Sequence, residues 1–209
     1  MRIAILIAFL SIFSFSCRER KPVSPRHAKK SEIVRGKKTI VLQPFIGFPS
    51  ELTDSLFVEI KKINPKAVLN EPIPLPANAY YMPRGRYRAD SLIEFLWKKS
   101  TVQQVIIGLT EKDISTTKGR EPDWGVMGLA YKPGYSCVVS TYRLSKKNTR
   151  EQLYKLSLHE LAHTQGLPHC RQDSTCYMSD ANGENPWDAE TGFCSRCKAI
   201  LIRKGWILN

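Results

Sequence analysis

The eleven residues His159-Glu160-Leu161-Ala162-His163-Thr164-Gln165-Gly166-Leu167-Pro168-His169 constrain this chain more than any other stretch. On an α-helix, positions four apart lie about 40° apart around the axis and ~6 Å along it, so His159 and His163 can reach one ion. Glu160 is offset by one residue and reaches past that ion toward a bound water. Gly166 permits a left-handed turn that ends the helix. Leu167-Pro168 can then return the chain and bring in His169 as a third ligand. Three neutral nitrogen ligands leave the fourth tetrahedral position of a zinc ion open, the arrangement of a catalytic site. Zinc lowers the pKa of its water, and Glu160 is expected to take the proton as the hydroxide attacks a polarised carbonyl. The reaction class this predicts is hydrolysis of a peptide bond, with a peptide or protein as substrate.

A second cluster follows at once. Cys170, Cys176, Cys194 and Cys197 end in a Cys-Ser-Arg-Cys pair, the spacing of a structural zinc site. In an oxidising compartment the same four could instead form two disulfides, in any of three pairings. Cys137 lies between Ser136 and Val138 in a strand-like run, where a small buried hydrophobe is its expected role.

These motifs resemble those of the metzincin metallopeptidases, whose long motif continues past the second histidine to a glycine and a third ligand. That group carries a methionine on a tight turn beneath the metal, and Met178 in Tyr177-Met178-Ser179 matches it. With the four cysteines, the chain resembles one metzincin family in particular, the archaemetzincins. Upstream, Arg86-Tyr87-Arg88-Ala89-Asp90, Leu109-Thr110-Glu111-Lys112-Asp113, Gly128-Leu129-Ala130 and Val138–Leu144 fall in that family's order. The resemblance implies that His159, His163 and His169 bind the catalytic zinc, that Glu160 is the base and that Met178 is the Met-turn residue. It implies four cysteine ligands for a second zinc, hence two Zn2+ per chain, and it admits aminopeptidase action. The gaps Cys170–Cys176 and Met178–Cys194 differ by a residue or two from the family spacing, and family members are largely intracellular.

This chain, by contrast, begins like an exported one. Met1-Arg2 precedes an apolar run from Ile3 to Phe15 and then Ser16-Cys17. A run that short does not reach the ~20 residues that span a bilayer as a helix, so residues 1–16 read as a signal peptide. The segment resembles a bacterial lipoprotein signal, which implies cleavage before Cys17 and lipidation of that residue. Acylation by more than one chain would anchor it stably. A cell-envelope lipoprotein, periplasmic or on the outer surface, is the expectation, with plain secretion second.

The net charge of +13 first suggests a nucleic-acid partner, but its distribution argues against a specific one. Residues 18–38 hold nine basic and two acidic residues, so more than half of the excess lies outside any plausible core. With two prolines and few large apolar residues, 17–38 reads as a flexible basic tether.

Residues 39–209 are left as the peptidase domain. Strand patterns cover Thr39–Leu42, Val105–Thr110, Val126–Tyr131 and Ser136–Tyr142; helical patterns cover Glu51–Ile63, Asp90–Lys99, Glu151–Gln165 and Cys194–Lys204. Proline-rich Glu71–Pro83 is expected to run extended across the surface. This alternation predicts an α/β or α+β fold: a mixed twisted sheet, an active-site helix and a small Met-turn and cysteine-rich C-terminal part. Val126–Tyr131 or Ser136–Tyr142 could be the edge strand that pairs with substrate. Tyr80, Tyr81, Trp124 and Tyr135 could line a pocket. A monomer is expected. The alternative reading is a catalytically silent zinc-binding envelope lipoprotein that binds peptides or proteins.

Overall fold

The computed structural model describes residues 37–181 and 183–208. The expected signal (1–16), Cys17 and the tether up to residue 36 lie outside the described residues.

The frame is a five-stranded sheet in the order β2 (Val68–Leu69), β1 (Thr39–Pro44), β5 (Gln104–Thr110), β9 (Ser136–Ser140), β8 (Gly128–Ala130). The first four strands run parallel; β8 joins antiparallel to β9 with Leu129 opposite Val138. Parallel strands are covered on both faces, so they read as unbroken apolar runs, and side chains alternate between two cores. Ile40, Leu42, Val105, Ile107, Leu109, Cys137 and Val139 enter one core, with helices α1 (Ser50–Ile63) and α3 (Thr149–Thr164) and the C-terminal segment. Val41, Ile106 and Val138 enter the other, against Leu92, Ile93 and Leu96 of α2 (Ala89–Lys99). The expected role of Cys137 holds: it is fully buried in the first core.

A smaller sheet packs on the α2 side, in the order β3 (Tyr80–Tyr81), β4 (Arg86–Arg88), β6 (Ile114–Lys118), β7 (Glu121–Val126). Asp113 ties it to the chain beyond β9: Arg143 donates to both its carboxylate oxygens at 3.0 Å, and Arg86 Nε lies 3.2 Å away.

Two expectations need correction. Val126–Tyr131 is not one strand: Val126 ends β7 in the small sheet, and β8 begins at Gly128 in the large one. Residue Met127 makes the crossing, and its carbonyl accepts from Ser140 N–H at 2.8 Å. Glu71–Pro83 is not wholly extended either, because turns of 3-10 helix at Ala77–Ala79 and Met82–Arg84 flank β3. The remaining helices lie within a residue or two of the sequence reading, including α4 (Ser195–Arg203).

Helix α3 positions the chemistry. From Gln152 to Ala162 nearly every residue is buried, because the sheet covers one side and the C-terminal segment the other. Such a helix shows no single apolar stripe. Its buried cation, Lys155, donates to the carbonyls of Trp187 at 2.8 Å and Glu190 at 2.7 Å, fastening that segment to the helix. No helix among the described residues is long and apolar enough to cross a membrane.

Candidate metal centre

Helix α3 ends in a Schellman motif. Gly166 has φ +96°; its N–H donates to the His163 carbonyl at 2.8 Å, and Leu167 N–H donates to the Ala162 carbonyl at 3.2 Å. Buried Leu167 anchors the turn. The chain thereby reverses and brings His169 back over the helix, with ring centroids 5.4 Å from His159 and 4.8 Å from His163. All three sequence-predicted histidines are brought together: one nitrogen from each lies within 4.8 Å of the others.

Hydrogen bonding orients two of the rings. His159 Nδ1 meets the Tyr177 carbonyl at 2.6 Å, and His163 Nδ1 meets the Leu167 carbonyl at 2.7 Å. A carbonyl only accepts, so both Nδ1 atoms carry the proton and both Nε2 atoms present lone pairs. Those lone pairs face each other across 3.0 Å. Two acceptors so placed repel unless a cation lies between them, and tetrahedral Zn–N bonds of ~2.0 Å would separate two ligand nitrogens by about 3.3 Å. The donor set therefore fits zinc. Burial keeps the imidazoles neutral, holding His159 well below its usual range and His163 at about 4. His169, exposed at the rim, is lowered by burial too, while Asp180 Oδ2 at 3.2 Å from its Nδ1 pulls the other way.

Glu160 is buried beneath edge strand β8, and burial pushes its carboxyl up to about 8. Among the described residues its carboxyl makes no hydrogen bond. Met178 is buried on the tight turn Cys176–Ser179, where Ser179 N–H donates to the Cys176 carbonyl at 2.7 Å. The Tyr177 carbonyl that holds His159 belongs to the same turn.

The four cysteines also converge, their sulfurs within 4.8 Å of one another and unbonded. Cys170 Sγ and Cys194 Sγ are 3.8 Å apart, and a tetrahedron of ~2.3 Å Zn–S bonds places sulfurs about 3.8 Å apart. Cys176 Sγ accepts from the N–H groups of Met178 (3.5 Å) and Cys194 (3.3 Å), as a thiolate ligand would. The two clusters share a strut, since Cys170 N–H donates to the Met178 carbonyl at 2.6 Å.

Of the expected substrate strands, β8 is the sheet edge, whereas β9 is enclosed between β5 and β8. The aromatic quartet is dispersed: Tyr80 packs on Tyr87, and Tyr135 lies under Lys38 Nζ. Trp124 stands beside Gly183, in the chain that follows the methionine turn. Sequence reasoning missed Trp187, whose ring meets His159 edge-on at 5.5 Å, and Asp180. Neither lies in a motif; only its place two residues after Met178 marks Asp180 at all.

Comparison with known proteins agrees with this geometry. The model of peptidase family M54 matches residues 54–203. An archaemetzincin of Methanopyrus kandleri is 35% identical over 134 residues, covering 62% of this chain and 73% of its own. The crystal structure of archaemetzincin from that organism superposes with TM-score 0.67 at 30% identity, covering 82% of this chain and 98% of the other. An archaemetzincin structure from Archaeoglobus fulgidus, complexed with malonate, gives 0.66 at 26% identity, covering 78% and 99%.

Proposed function

Because the chain belongs to peptidase family M54, the archaemetzincin family of zinc metallopeptidases, we propose that it cleaves peptide bonds with Glu160 as general base. In this reading His159, His163 and His169 hold the catalytic zinc, and Cys170, Cys176, Cys194 and Cys197 hold a second, structural one. The observation that carries it is the approach of His159 Nε2 and His163 Nε2 to 3.0 Å, with Glu160 next to the first of them in sequence.

When bound, zinc supplies a Lewis acid that polarises the scissile carbonyl and acidifies a water molecule. Glu160 accepts the proton from the attacking water and delivers it to the leaving amine nitrogen. Its buried carboxyl, raised to about 8, has a high proton affinity, and a nearby divalent charge favours its ionised form. The outer edge of β8 pairs with an extended peptide, so that main-chain hydrogen bonds lay the scissile bond across the histidines. Trp187 and the Tyr177 and Leu167 carbonyls keep the imidazoles in place.

The proposal extends to aminopeptidase action, to a monomer, and to export with a lipid anchor at Cys17. The last rests on residues 1–17 alone. Zinc-loaded Glu160→Gln should keep its metal and lose about 10²–10⁴-fold in kcat/KM on a peptide library. Full activity in that variant would refute the base. Free and N-acetylated peptides compared in the same assay test amino-end trimming, which requires the free amine.

A further inference from the structure

We propose that Gly128 is a positioning residue for the reaction: the missing side chain on edge strand β8 is what lets the Glu160 carboxyl lie where it does. This rests on Glu160 acting as the base.

A methyl group placed on Gly128 would stand 2.6 Å from Glu160 Oε1, 2.7 Å from Cγ and 2.9 Å from Cδ, all inside contact distance. All three nearest atoms belong to that one side chain. Backbone conformation gives no reason for glycine here, because Gly128 is not among the residues with positive φ. Nor does the strand need small residues throughout. Leu129 packs into the α2 core, and Ala130, on the same face as Gly128, packs into the α3 core. What remains is the close approach of the Glu160 carboxyl. No hydrogen bond among the described residues holds that carboxyl, so packing against the strand locates it. The strand that would pair with substrate also sets the depth of the base.

The clash involves Cγ as well as the carboxyl, so it is relieved by turning the whole buried Glu160 side chain, at some cost to the fold. For the reaction the turn is expensive, because a misplacement of about 1 Å can cost ~10²-fold in rate. Gly128→Ala should therefore fold, keep its zinc and change KM by less than about threefold, while kcat falls about 10²-fold.

A double-mutant cycle with Glu160→Gln tests this. If Gly128 acts through Glu160, adding Gly128→Ala to Glu160→Gln changes kcat less than about twofold. Equal losses in both backgrounds, or a fully active Gly128→Ala, would overturn it. Full activity of Glu160→Gln alone would instead remove the base and this inference together. Should Gly128→Ala unfold more readily, thermal midpoints in a Glu160→Ala background decide. The penalty disappears there if the clash is with Glu160, and a penalty that persists overturns the proposal.

Discussion

His159 and His163 present their Nε2 atoms to each other at 3.0 Å while a backbone carbonyl holds each Nδ1. The two carbonyls fix the orientation in which the imidazoles present their Nε2 atoms, and two acceptors so placed call for a cation between them. Chelation should lower the thermal midpoint, and added zinc should restore it without regaining secondary structure. A ligand at 1,000 times its Kd stabilises by about 4 kcal/mol, which sets the scale in a thermal-shift titration. A midpoint indifferent to zinc would contradict the arrangement.

Lys155, itself buried, donates to two carbonyls of the segment that carries Trp187, and pairs with Glu151 at 2.7 Å. Replacing it by Met leaves those carbonyls without a donor and removes the cation facing buried Glu190. Denaturant unfolding of Lys155→Met should show a loss of about 2–4 kcal/mol, from two buried acceptors left unsatisfied. A loss below about 1 kcal/mol would mean that the fastening is dispensable.

Burial pushes the Glu190 carboxyl from 4.5 up to about 7, against the pull of Lys155. The folded chain therefore keeps a proton that the unfolded chain releases, so this group's contribution falls as pH rises from 4.5 to about 7. Glu190→Gln should match the parent near pH 5 and exceed it near pH 8 by roughly 1–3 kcal/mol. Equal stability at both pH values would remove Glu190 as the source.

The four converging thiols predict that chelation exposes them together. A thiol reagent should label few cysteines in the zinc-loaded protein and four more once zinc is stripped. Four cysteines that react only after reduction would establish disulfides instead.

Gly166 holds φ +96° where the helix reverses, and the next residue's carbonyl orients His163. Gly166→Ala should cost about 1–2 kcal/mol and weaken zinc binding as well, read by unfolding and by competition with a chromophoric chelator. Loss of stability with unchanged zinc affinity would separate the turn from the site.

The histidine cluster was legible because its geometry is local: helix periodicity and one glycine bring three rings together. The four cysteines were legible for a similar reason, although their convergence depends on the fold placing Cys176 beside Gly192. The main sheet could be read from its buried apolar runs. The small sheet could not, since Arg86–Arg88 and Glu121–Val126 are mostly polar strands linked by arginine–aspartate pairs, with only Tyr87 and Val126 turned to the α2 core. Val126–Tyr131 misled because apolar patterning ignores a change of sheet at one residue. Asp180, Trp187 and Gly128 reach the site through tertiary approach, which spacing does not encode.

Counting zinc by native mass spectrometry in the parent and in His163→Ala, with peptide hydrolysis followed on the same samples, is the most direct test of the three-histidine site. Two ions per parent chain, one in the variant, and hydrolysis lost with the missing ion is the predicted result. A variant that keeps both ions and still cleaves peptides would contradict it.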